Sequence, residues 1–176
     1  LPPSQQENLA QFSTVLAEAE DALNSDRKLA AAITEAGNVV LPMLFVLGEP
    51  RGNPDMPLSD YVLKNQITTV VDRIGAQINN IYPVPTLQAA APVQEIAAGA
   101  AAIGHLNALP DVDGSTRTEP LVVRYYDQYF PSFSMMLAAK SLNLGPADIE
   151  MRLGEGIKVG NLTINTLNSG YDTILG

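Results

Sequence analysis

The chain has 176 residues, and 46% of them are hydrophobic, so it suits one domain with a packed core and should not be disordered. Ten basic residues against nineteen acidic ones leave a net charge of −9, which argues against nucleic acid and against docking on an anionic membrane; simple solubility is the favoured explanation of the charge. There is no cysteine and no tryptophan, so disulfides, cysteine–zinc sites and cysteine nucleophiles are excluded, and the core must be aliphatic.

The longest apolar run, "NVVLPMLFVLG", falls far short of the ~20 residues that a spanning helix needs. The start, "LPPSQQENLAQ", lacks the basic and apolar regions of a signal peptide. The expectation is a fragment, residues 1–176, of a longer chain whose membrane segments lie outside it.

In chain order, "SQQENLAQFSTVLAEAEDALNS" predicts an amphipathic helix over 4–24, with a capping box from Ser4 to Glu7. Leu9, Phe12, Leu16, Ala19 and Leu23 repeat at steps of three and four. That stripe suits either a helix lying on a core or a dimerising, signal-transmitting helix. "SDRKLAAAITEAG" predicts a second helix, capped by Ser25 or Asp26 and ended by Gly37. "NVVLPMLFVL" reads as a strand buried on both faces, with Pro42 marking its end or a sheet edge. Residues 46–60, with "GEPRGNPDMP", read as an exposed loop.

"LSDYVL" predicts a short helix, "NNIYPVPTLQAAAP" a loop, and "PVQEIAAGAAAIG" a helix from Pro92 to Gly99 or Gly104. "AIGHLNAL" and "TRTEPLVVRYY" are expected to pair as a hairpin across the turn "PDVDG". "DQYFP" is expected to turn. "PSFSMMLAAKSLNLG" predicts a helix with Pro131 at its first position and Gly145 beyond its end. "DIEMRLGEGIKVGNLTINTL" alternates between two glycine turns, as a meander does. Helices first and mixed strands afterwards give an α/β class: one compact domain, a mixed sheet and covering helices.

Candidate chemistry is sparse. Asp111, Asp113 and Gly114 open like a calcium loop, but the twelfth position is Val122 rather than a glutamate, so a turn is favoured and no metal is expected. His105 is the only histidine. It has no G-x-S-x-G elbow to serve, and a structural role is favoured over catalysis. "GEGIKVG" lacks the strand-before, helix-after setting of a phosphate cradle. Arg117 sits beside Asp113 and Glu119; it could clamp an anionic ligand, or pair with those carboxylates and pin the turn. Arg117, Asp113 and His105 are therefore the ligand-binding candidates, with Arg124, Tyr125 and Tyr126 as further residues that could line a pocket. No catalytic residue and no cofactor are expected. A carboxylate pair at Asp111 and Asp113 is the weakest reading, because two acids in one turn rarely span a substrate.

The order "DRKLAAAITEAGNVVLPMLF", "AIGHLNALPDVDGSTRTEPLVV", "YFPSFSMMLAAKSLNL" and "LGEGIKVGNLTINT" resembles the second class of CHASE domains, the cyclase/histidine-kinase-associated sensory extracellular domains of bacteria. The likeness covers most of Ala19 to Thr166. Its most specific parts are N-x-x-x-D-x-D-G-x-x-R at Asn107 to Arg117 and P-S-x-x-x-x-x-A at Pro131 to Ala138. The resemblance implies a periplasmic sensor, anchored through membrane segments outside this chain, with a cytoplasmic kinase or nucleotide cyclase as output. The insertion "GEPRGNPDMPLSDYVLKNQ" resembles the subset attached to serine/threonine kinases or adenylate cyclases. The family's usual opening, an I-D-E-x-S strand and a W-P-W-x-R stretch, is not in this sequence, so the sheet is expected to lack terminal strands. Expected partners are an unidentified small molecule or stress signal and a second copy of the chain. The alternative is a structural dimerisation or protein-interaction module with no small ligand.

Overall fold

A computed structural model describes residues 3–54, 56–166 and 172–174, without the side chains at 3, 4, 6–10, 21, 22 and 172–174. The elements are α1 (Pro3–Leu23), α2 (Ser25–Ala36), β1 (Val40–Leu47), α3 (Asp60–Leu63), β2 (Thr69–Val71), β3 (Val84–Ala90), α4 (Gln94–Ala97), β4 (Ala102–His105), β5 (Thr118–Pro120), β6 (Val122–Tyr125), β7 (Gln128–Pro131), α5 (Phe133–Ser141), β8 (Ile149–Arg152), β9 (Gly156–Val159), β10 (Leu162–Asn165) and β11 (Asp172–Ile174). A single 3-10 turn, Pro146–Asp148, leads into β8.

The strands form a mixed five-stranded sheet in the order β4-β1-β3-β6-β7, a mixed four-stranded sheet in the order β10-β9-β8-β2, and the antiparallel pair β5-β11. One apolar cluster joins the two larger sheets. Ala102, Leu121 and Val122 meet Ile149, Met151, Ile157 and Val159, with Met135, Met136 and Ala139 of α5 between them. A second cluster lies on the other face of the five-stranded sheet. There Met43, Phe45, Ile103, Val123, Tyr125 and Phe130 pack under Val62 of α3 and Ala97 of α4. The molecule is thus α/β, with mixed sheets covered by short helices.

Local chemistry explains most boundaries. Between α1 and α2 the chain breaks at Asn24, whose side-chain Oδ1 accepts the Arg27 N–H at 2.9 Å. The cap is thus Asn24, not Ser25 or Asp26. Gly37 takes a left-handed φ of 65° and its N–H donates to the Ile33 carbonyl, as the sequence predicts. The capping box at Ser4 and Glu7 falls on side chains outside the described residues.

Several expectations are corrected. β1 is buried on one face only, through Met43 and Phe45, while Leu44 and Val46 on the other face are exposed. Pro42 does not end the strand but stands at a local sheet edge, the second of the two expected alternatives. β1 pairs with β4 from Val40 to Met43 and with β3 from Leu44 to Leu47, so at Pro42 the second neighbour has not yet joined. The stretch read as a loop, "PVPTLQAA", is the central strand β3; two prolines and an irregular burial pattern hide it. The helix expected from Pro92 shrinks to one turn, α4.

The expected hairpin across "PDVDG" does not form. β4 lies at one edge of its sheet, parallel to β1, while β6 lies three places away between β3 and β7. Residues 106–117 are a crossover. The tight hairpin is β6–β7, turning at Tyr126 and Asp127, so "DQYFP" is mostly strand. Pro131 belongs to β7, and Ser132 caps α5 by accepting the Met135 N–H at 3.2 Å. The meander from Ile149 to Asn165 is as expected.

Candidate functional site

The crossover segment carries the residues singled out in the sequence. Asn107 lies just past β4 and grips β1. Its Oδ1 accepts the Phe45 N–H at 3.0 Å, and its Nδ2 donates to the Phe45 carbonyl at 2.7 Å. One side chain thus continues the sheet where β4 has ended.

Downstream, the Asp111 N–H donates to the Ser115 carbonyl and the Gly114 N–H to the Asp111 carbonyl. Gly114 stands at φ 80°, a conformation that side chains resist. This turn folds Arg117 back onto both acids. Its Nη1 donates to Asp111 Oδ2 at 2.6 Å, and its Nη2 to Asp113 Oδ2 at 2.7 Å. The guanidinium holds the Asp113 carboxyl down at about 2, and the two carboxylates raise the Arg117 pKa in turn. The cluster is exposed, so it shapes the loop more than it stabilises the fold. Among the described residues, no three His, Asp or Glu side chains converge on a metal-sized position.

His105 closes β4 and is 1% exposed. Its Nδ1 accepts the Asn107 N–H at 3.3 Å, its ring stands edge-on to Phe45, and its buried Nε2 has no hydrogen-bond partner among the described residues. Burial pushes its pKa down to about 3, because charging the ring would strand a cation in an apolar core. Neither a hydroxyl nor a carboxylate is hydrogen-bonded to it among the described contacts. His105 is therefore a neutral packing group, and no described contact joins it to Asp113 or Arg117.

The second signature, Pro131 to Ala138, is also built into the framework. Ser132 pairs in parallel with His105 as an isolated bridge, and its N–H donates to the Leu121 carbonyl. Ser134 donates to Glu119, tying α5 to β5. Gly104 lets this crossing happen. A Cβ there would stand 2.6 Å from the Phe133 Cα and 2.7 Å from the Ser132 carbonyl oxygen.

Two places of interest were not legible in the sequence. An open groove of about 390 Å³ runs between the segment Met56–Ser59 and Leu87–Ala89 of β3, with Val62 and Tyr125 at its floor. That volume lies within the range of small-molecule sites. The sequence hid it because β3 was not recognisable as a strand. Arg124 lies over the Tyr82 ring, 4.5 Å from its centroid, and reaches Glu49 at 3.4 Å. Tyr125 and Tyr126 stack edge-on at 4.9 Å; of the three expected pocket residues, Tyr125 lines the groove and both tyrosines line a neighbouring cleft beside Pro57 and Leu58, whereas Arg124 lines neither. A smaller cavity between the sheets, beside Tyr82 and Met151, measures about 20 Å³, room for one water.

A model of the CHASE2 domain family matches residues 4–175. The chain belongs to the CHASE2 domain family. No curated protein and no solved structure shows significant similarity to it. CHASE2 domains are sensory, extracellular domains of signalling proteins. They are not catalytic. In this CHASE2 domain Asn107 of the first segment carries the pairing on β1 past the end of β4, while the second segment seats α5 on β4. No described helix is long and apolar enough to cross a membrane.

Proposed function

We propose that this CHASE2 domain is the periplasmic input module of a membrane-anchored bacterial receptor whose cytoplasmic output is a kinase or a nucleotide cyclase. The family match over residues 4–175 carries the reading. A sensor needs a ligand-accessible site and a part that can change its packing. The groove beside Leu87 and Tyr125 offers the first, and the exposed helix α1 offers the second. The groove is mostly apolar, with Ser59 and Gln88 as polar groups, which suits a small, partly apolar molecule. Arg117 and Asp113 offer a second place for an anion, which would have to exchange with Asp111 or Asp113 for the guanidinium.

Thermal melting against a panel of anions, sugars, amino acids and small apolar molecules tests this. A ligand in the groove raises the melting temperature of the wild type and not of Leu87→Glu. An anion at the turn loses its effect in Arg117→Gln. If no compound in the panel shifts the wild type, the small-ligand reading fails. The module without a small ligand would then take its place. That second reading is favoured by the bare apolar side chains of Leu44, Val46 and Leu106, each about half exposed, which suit a protein contact.

A further inference from the structure

α1 is a helix of 21 residues whose described side chains from Gln11 to Glu20 are all exposed. Phe12 is 63% exposed, Val15 61%, Leu16 53% and Leu23 81%. A helix that lay along the body would bury one stripe. Isolated helices are marginal in water, and most gain their stability by packing an apolar face. Something therefore covers this one.

The stripe itself says what. Leu9, Phe12, Leu16, Ala19 and Leu23 follow steps of 3, 4, 3 and 4, a repeat of about 3.5 residues rather than the helix's own 3.6. Such a repeat stays in contact over its whole length only with another helix of the same repeat, wound around it. The charges agree. With Leu16 and Leu23 at one seam position and Phe12 and Ala19 at the other, Glu18 falls away from the seam. Over the described side chains the seam's flanks hold Ser13, Val15 and Glu20, so they carry one acid in a chain of net charge −9. In a parallel pair Glu20 faces Val15 of the second copy, not another acid. The exposed parts of Phe12, Val15, Leu16 and Leu23 from two copies amount to apolar surface on the order of 1,000 Å², near the lower limit for specific association.

The geometry points to α1 as a self-association helix: two copies of this chain pair through the seam formed by Phe12, Leu16, Ala19 and Leu23. The small interface makes the pairing reversible and dependent on concentration. The far face of α1, with Ala17, stays in solvent. The proposal stands apart from the sensory reading, since oligomeric state and ligand response are measured separately.

Sedimentation equilibrium of the 176-residue chain tests it over a range of micromolar concentrations. The wild type approaches twice the 18.7 kDa of one chain. Leu16→Asp raises the dissociation constant by roughly tenfold or more, while its thermal melt shows that the body is still folded. Ala17→Asp, on the far face, leaves the dimer intact. The absence of cysteine allows a second readout that needs no destabilising charge: Leu16→Cys forms an interchain disulfide on mild oxidation, and Ala17→Cys does not. A wild type that stays monomeric at every concentration overturns the proposal. So does a dimer that is indifferent to Leu16→Asp, or equal cross-linking at positions 16 and 17.

Discussion

Two helices of this molecule, α1 and α5, have apolar stripes and opposite fates. α5 is nine residues long and buries Met135, Met136 and Ala139 between the two sheets. α1 is more than twice as long and exposes Phe12, Leu16 and Leu23. The difference comes from their neighbours. α5 is held at its start by Ser132, which caps the helix and bridges to His105, and by the bare backbone of Gly104 beneath it. α1 meets the body at the break at Asn24, and its described side chains from Gln11 to Glu20 are all exposed. An apolar stripe states that a helix must be covered; it does not state by what.

The largest effect should come from filling the crossing under α5. Gly104→Val puts carbon against the Phe133 backbone and the Ser132 carbonyl, neither of which can yield without moving α5. A loss of about 4 kcal/mol is expected in chemical denaturation, or failure to fold. Next is a direct test of the comparison. Met136→Ala should cost about 3 kcal/mol, since the side chain is fully buried and leaves a cavity. Leu16→Ala should change the melt of the monomeric body by less than about 0.5 kcal/mol. Equal losses would mean that α1 packs on the body after all, and the contrast between the helices would collapse.

A smaller effect concerns pH. His105 is held neutral with a folded pKa of about 3 against an ordinary value of 6.5. Between those values the unfolded chain binds more protons than the folded one, so stability rises with pH in that window. The contribution is complete above about pH 6.5 and is lost progressively as pH falls toward 3. Acidification from pH 7 to 5 should cost the wild type about 2 kcal/mol more than His105→Gln, measured as the difference in slope of stability against pH. Parallel slopes would show that His105 reaches solvent. Least affected is the turn. Arg117→Gln breaks two exposed ion pairs and should shift the melting temperature little, with any shift shrinking at high salt. A large, salt-independent loss would place Arg117 in the framework rather than on the surface.

The candidate residues were visible in the sequence, but their settings were not. Asp111, Asp113 and Arg117 lie within seven residues of one another, so their pairing follows from local geometry and was foreseeable. His105 is different. Nothing in "GHLNAL" says that the ring is sealed beside Phe45, because Phe45 is sixty residues away in sequence. The groove beside Leu87 was out of reach for the same reason: it exists only because β3 runs beside β1 and the segment at Met56 folds over it.

By itself the sequence determined the class of fold, the helices from Pro3 to Ala36, the meander from Ile149 to Asn165, the absence of cysteine chemistry and the two signatures that mark a CHASE2 domain. Each of these rests on short-range periodicity, on composition or on residues close together in the chain. Only the tertiary structure decided that β4 and β6 do not pair, that β3 is a central strand, that His105 is interior and that the described side chains of α1 are exposed. Those outcomes depend on which distant segments share a sheet or a core, and burial is a property of that company, not of a residue and its immediate neighbours.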